Sequence, residues 1–202
     1  MPAHQAAVAR MRAGRPSVLC GSMAEMAHET VLPRKDPATI TPDGKLLKPM
    51  IDGVVIRYQQ PVEDRRGEVL EVYRPSWGVH EDPLVYVYQI RLRPGAIKGW
   101  VIHEHQDDRL FFVTGVLRWG LYDDRPGSPT RGLVNDLVFS ERAAALLVIP
   151  RGVYHAVRNI GTTDAIFINM PTRAYEHGAP DKLRLPLKTP LIPFDFDDGP
   201  GW

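Results

Sequence analysis

Residues 95–130, GAIKGWVIHEHQDDRLFFVTGVLRWGLYDDRPGSPT, decide how this chain folds. Two apolar runs, at about 109–114 and 116–122, are joined across Thr114-Gly115, as consecutive antiparallel strands are. A further strand is expected at 98–105, and the stretch closes on the tight turn Arg125-Pro-Gly-Ser-Pro-Thr130. His103 and His105 sit two residues apart, so on an extended strand both imidazoles project from one face, with Asp107 and Asp108 just beyond them. That is the head of a pocket.

Outward from there the same punctuation continues. Upstream, Val54–Tyr58 and Glu68–Tyr73 read as strands separated by the charged bend Glu63–Gly67, and 85–93 alternates. There Tyr86, Tyr88, Ile90 and Leu92 lie opposite Val85, Val87, Gln89, Arg91 and Arg93, before Pro94-Gly95 stops the run. Downstream, strands are expected at 133–139, 145–149, 153–159 and 165–170, with a single helical turn at 141–144. Short strands with tight connections predict an all-β, double-sheet barrel rather than any α/β fold. The Asp123-Asp124-Arg125 cluster reads as a structural turn with an internal ion pair.

At 202 residues the chain suits one domain, read as a loosely ordered extension over 1–48, a barrel domain over 49–195 and a tail over 196–202. A short helix is expected near 3–13 and a helical turn near 180–183. Lys and Arg total 25 against 24 Asp and Glu, so nothing marks nucleic acid as a partner. No apolar run approaches the roughly 18 residues of a spanning helix, so no membrane partner is expected either. The single cysteine, Cys20, excludes a disulfide framework within the chain and suits a reducing, cytoplasmic setting.

The His103-Glu-His105 pair, together with Pro150-Arg-Gly152-Val-Tyr-His155-Ala-Val-Arg-Asn159, resembles the two motifs of the cupin superfamily, whose fold is a jelly roll. More specifically, Asp124-Arg125-Pro-Gly127-Ser128-Pro129-Thr130-Arg-Gly132, Asp64-Arg-Arg66-Gly67-Glu-Val-Leu-Glu71 and Ile149-Pro150-x-Gly152-x-x-His155 are similar, in order, to three segments of the dTDP-4-dehydrorhamnose 3,5-epimerase family. The similarity spans roughly 50–195. It extends to an epimerase-like branch with Lys-x-Trp-x-x-His and Tyr-x(4)-Pro-Asp-x-x-Arg-Leu-Pro, here Lys98 to His103 and Tyr175 to Pro186.

The resemblance implies proton abstraction beside the ketone of a nucleotide-linked 4-keto-6-deoxy sugar, without a cofactor, in a homodimer. Such chemistry needs a base, an oxyanion stabiliser and a proton donor on the opposite face. By position, Tyr175 matches the acid, His155 a substrate contact, and Arg66 with Glu71 the nucleotide end, with Lys98 as a charge stabiliser and Arg66 as the phosphate anchor. Two positions depart from the family. Val101 fills the place of the base, and Asp108 fills that of a lysine. Either His103 has become the base or the epimerase reaction is absent. Two other readings stay open: a metal-dependent cupin, oxygenase or isomerase, binding a divalent transition metal through His103, His105 and His155 with Asp108 or Asp107, and a non-catalytic sugar-nucleotide-binding cupin.

Overall fold

The computed structural model describes residues 35, 38–43 and 47–197; the helix expected near 3–13 lies outside them. In chain order the strands are β1 (Val55–Tyr58), β2 (Val62–Asp64), β3 (Gly67–Val69), β4 (Tyr88–Leu92), β5 (Ile97–Ile102) and β6 (Asp108–Thr114). They continue as β7 (Val116–Asp123), β8 (Val134–Ser140), β9 (Ala145–Ile149), β10 (Val153–Asn159), β11 (Ala165–Asn169) and β12 (Leu183–Arg184). Two antiparallel five-stranded sheets, ordered β1-β9-β6-β11-β4 and β12-β5-β10-β7-β8, face each other, and β2-β3 stands apart as a hairpin. This is the jelly-roll barrel that the sequence implied.

Period-two alternation decides which side chains fill the space between the sheets. From β6 come Leu110 and Phe112, from β7 Leu117, Trp119 and Leu121, and Phe139 of β8 stacks on Phe112 at 4.1 Å between centroids. Burying a side chain of that size contributes about 1.5–3 kcal/mol. Strand β9 is apolar at every position because both of its faces are covered. Ala145, Leu147 and Ile149 enter the central core, while Leu146 joins Phe111 in a second cluster roofed by Leu70, Val72, Tyr73 and Trp77. That roof explains why the expected strand over 68–73 stops at Val69: the residues that follow pack on the outside of a sheet instead of joining it.

The C-terminal segment does the same for the other sheet. Trp100, Phe194 and Phe196 pack edge to face and tilted over Gly120, where a Cβ would stand 2.8 Å from both Trp100 and Phe194. Packing continues to Asp197, which pairs with Arg158 at 3.2 Å, so residues 196 and 197 belong to the barrel's covering. Leu183 and Arg184 pair with Ile102 and Val101, so the helical turn expected near 180–183 is replaced by a tight turn running into an edge strand. The 141–144 turn is present as a short 3-10 helix, Glu141–Ala143. Asp123 anchors the Pro-Gly-Ser-Pro turn as expected: its carboxylate accepts from Arg125 Nε at 2.9 Å, Ser128 Oγ at 2.6 Å and Thr130 Oγ1 at 2.7 Å.

Candidate active site

Strand β5 ends at Ile102 because the next residues are held by something other than a neighbouring strand. The Asp181 carboxylate accepts the backbone N–H groups of Glu104, His105 and Gln106 at 2.8, 2.9 and 3.0 Å, folding 103–106 into a loop. His103 Nδ1 donates to the carbonyl of the same Asp181. The neutral ring therefore keeps its lone pair on Nε2. That atom faces Asp108 Oδ2 at 3.4 Å, and His155 Nε2 faces the same oxygen at 3.5 Å. His155 has its own Nδ1 directed at the Val153 carbonyl, 3.2 Å away. The other carboxylate oxygen of Asp108 accepts from Gln106 Nε2 at 3.0 Å and Asn169 Nδ2 at 3.1 Å.

These contacts set the charges. Burial opposes ionisation of Asp108, yet the His103 hydrogen bond and the two imidazoles hold its pKa down to about 2. Burial also opposes the imidazolium of His103, but Asp108 and the Asp181 carbonyl outweigh it and its pKa is raised. His155 goes the other way: burial pushes it down to about 4 against the pull of Asp108, leaving it neutral. One of the two imidazoles is thus tuned to accept a proton and the other is not.

Two cavities meet at this point. An inner one of about 80 Å³ lies between the sheets, and an outer one of about 720 Å³ opens beneath the strap of residues 173–183. Tyr88, His103 and Lys182 line both, and so form the neck between them. Trp119 Nε1 and Asn169 Oδ1, both from residues lining the inner cavity, are buried with no hydrogen-bond partner. Such groups cost free energy unless a ligand or solvent satisfies them.

His103, His155, Asp108 and Lys98 all line the inner cavity. Val101 does too, paired across the ladder with His155, so the position that the family gives to its base faces the same space. Tyr175 lines only the outer cavity; it is half exposed, with its ring 5.0 Å from that of His177. Arg66 and Glu71 line neither. The Arg66 side chain is 90% exposed and pairs with Asp64, and Glu71 pairs with Arg74.

His105 is not a partner of His103 and His155. Because 103–106 is a loop, the same-face rule for strands does not hold there, and His105 groups instead with Glu104 and Asp181. Three groups among the described residues bring ligand atoms within 4.8 Å of one another, and the one that lines the inner cavity is His103, Asp108 and His155. Asp107 points away, to His80 Nε2 at 2.9 Å and Arg151 Nε at 3.0 Å. The sequence reading missed Tyr88, Asn169, Asp181 and Lys182. Tyr88 was legible as an inward position of the alternating strand, and Asp181 stands in the Tyr-x(4)-Pro-Asp-x-x-Arg-Leu-Pro motif; Asn169 and Lys182 had no local signal of their own.

No protein-family model matches the chain. A probable low-salt glycan biosynthesis epimerase of Haloferax volcanii is 34% identical over 151 residues, spanning 74% of this chain and 96% of that protein. A spore coat polysaccharide biosynthesis protein of Bacillus subtilis is 35% identical over 151 residues, 73% and 97% of the two chains. The fold matches that of a dTDP-6-deoxy-D-glucose-3,5-epimerase from Legionella pneumophila, solved with dTDP-4-keto-L-rhamnose, with a TM-score of 0.66 at 21% identity over 75% of this chain and 82% of the other. The chain belongs to the dTDP-4-dehydrorhamnose 3,5-epimerase-like family. Position 101, which the resemblance gives to the base, carries a valine, and an imidazole stands two residues later at the neck of the cavity.

Proposed function

We propose that the protein is a sugar-nucleotide epimerase that removes and returns a proton alpha to the ketone of a nucleotide-linked 4-keto-6-deoxy sugar, with His103 as the base. The observation that carries this reading is the placement of His103: its Nδ1 is fixed by the Asp181 carbonyl and its Nε2 stands beside the ionised Asp108, between two cavities. A proton taken at Nε2 creates an imidazolium that Asp108 stabilises, and the electron pair of the broken C–H bond becomes an enolate. Family membership supports the reaction class, and the dTDP-4-keto-L-rhamnose complex of the Legionella enzyme supports the substrate class. The outer cavity has room for a nucleotide sugar.

His155, neutral, is read as a substrate contact. A cytoplasmic homodimer is the expected setting, checked by size in solution. The test of the reaction is incubation with dTDP-4-keto-6-deoxyglucose in deuterium oxide, followed by NMR. Wild-type protein should place deuterium alpha to the ketone, and His103→Ala should not; a wild-type protein that binds dTDP but incorporates none would overturn the reading.

A metal-dependent alternative is favoured by one observation. His103 Nε2, His155 Nε2 and Asp108 Oδ2 converge with three lone pairs, and both histidines donate their other ring N–H to backbone carbonyls, as metal-binding histidines do. Stoichiometric transition metal in the purified protein would support that alternative.

A further inference from the structure

We infer that Tyr88 and Lys182, and not Tyr175 and Lys98, are the proton donor and the oxyanion stabiliser of this site. This rests on the epimerase reading and assigns its remaining roles. The neck between the cavities is formed by three side chains, an imidazole, a phenol and an ammonium. A substrate reaching His103 from the outer cavity must pass between the other two.

Tyr88 sits on β4 and Lys182 just before β12, the edge strands of opposite sheets, so they close on the neck from its two sides. The Tyr88 hydroxyl accepts from Asn169 Nδ2 at 2.9 Å, and this is its only hydrogen bond among the described residues. Its own O–H is therefore free to donate into the cavity. Burial first, and then the charge of Asp108, push its pKa up to about 12, which keeps the phenol protonated until it meets a strongly basic carbon. Asn169 ties this hydroxyl to the base, because the same Nδ2 reaches Asp108 Oδ1 at 3.1 Å. By contrast Tyr175 is half exposed, with its ring against His177 in the strap.

Lys182 has no carboxylate within ion-pairing distance among the described residues, and Asp108 occupies the position where the family pattern has its lysine. A lysine from the other end of the chain thus supplies the positive charge that position 108 has given up. Its pKa is lowered, by burial first and then by Arg184, with Asp108 opposing and Lys98 adding to the shift, so the ammonium is desolvated and looks for an anion. Below the neck, the unpaired Trp119 N–H and Asn169 carbonyl offer partners for a small polar group of the ligand.

The step balances as follows. His103 Nε2 takes the alpha proton, the C–H electron pair forms the enolate, and Lys182 donates a hydrogen bond to the enolate oxygen. Tyr88 then delivers its proton to the opposite face of the carbon. The phenolate regains a proton from solvent, to which the imidazolium loses its own.

The test uses the full chain with dTDP-4-keto-6-deoxyglucose in deuterium oxide, reading deuterium wash-in and appearance of the epimer separately. Tyr88→Phe should lower epimer formation about 100-fold while wash-in from the base face persists. Lys182→Met should lower both about 100-fold or more, with partial rescue in Lys182→Arg, and Tyr175→Phe should not separate wash-in from epimer formation as Tyr88→Phe does. Melting temperatures within about 2 °C of wild type confirm that each variant is folded. Epimer formation that survives Tyr88→Phe but is lost in Tyr175→Phe, or wash-in indifferent to Lys182→Met, overturns the assignment and leaves the epimerase reading standing. A wild-type protein that neither exchanges nor inverts overturns both.

Discussion

Removing the Asp181 carboxylate should both loosen the barrel and slow the reaction, and the size of each effect follows from the three backbone N–H groups that it holds. In Asp181→Ala the bonds from Glu104, His105 and Gln106, at 2.8, 2.9 and 3.0 Å, are lost together. A hydrogen bond to a charged group contributes about 1.5–3 kcal/mol when shielded. Glu104 and His105 are exposed, so their freed N–H groups can turn to water, and about 0.5–1 kcal/mol each is the fairer figure. With Gln106 part-buried and kept at the shielded figure, the sum is about 2.5–5 kcal/mol, which for a domain of this size lowers the melting temperature by about 5–20 °C. The loop that fixes His103 then samples other positions, and a displacement of an ångström can lower turnover about 100-fold. The pH dependence has a definite sign. Burial raises the pKa of Asp181, but the N–H groups of Glu104 and His105, the charge of His103 and the N–H of Gln106 lower it overall. A depressed carboxylate stabilises the fold above its unfolded value of about 3.9 and loses that contribution as pH falls through the folded value. The gap in melting temperature between wild type and Asp181→Ala, measured by scanning calorimetry, should therefore be full at pH 7 and shrink towards pH 3. A variant melting within 1 °C of wild type at pH 7 and turning over at an unchanged rate would refute the latch.

Two further outcomes follow from the same geometry. The base must be neutral to act, and the pKa of His103 is raised, so kcat/KM should rise with pH along a limb lying above 6.5; Asp108→Asn, which removes the carboxylate favouring the imidazolium, should move that limb to lower pH, and an unmoved limb would show that Asp108 does not tune His103. Any stability that His103 gains from its charge is present below about 6.5 and lost as pH rises through the raised pKa. Gly115, with φ +83°, turns the chain between β6 and β7 where a Cβ would lie 2.7 Å from the Ala165 backbone, so Gly115→Ala combines left-handed strain with overpacking and should cost about 3 kcal/mol by urea denaturation.

What could be read from the sequence, and what could not, divides along the range of the forces involved. Alternation is local, so β4, β6, β7, β9, β10 and β11 were legible from their own residues, and His103, Asp108 and His155 fell into one space as their motifs implied. Read as one strand through 105, the stretch pairs His103 with His105, whereas the structure sets His103 against Asp108 and His155. The difference arises because β5 stops at Ile102, for a reason that lies 75 residues or more away, in the side chain of Asp181. The same distance hid Lys182. A lysine in a proline-rich tail looks solvated until β12 pairs with β5 and draws it over the neck. Arg66 stands apart: a motif match assigns it to the nucleotide end, and in the single chain it lies exposed on the β2-β3 hairpin, paired with Asp64. Asp108, at the position that the resemblance gives to a lysine, supplies the negative charge that outweighs burial and raises the pKa of His103, two residues beyond Val101. A histidine placed at 101 alone would stand opposite His155 and beside an aspartate already committed to His103, and Asp108→Lys alone would set an ammonium against two imidazoles with nothing to balance it.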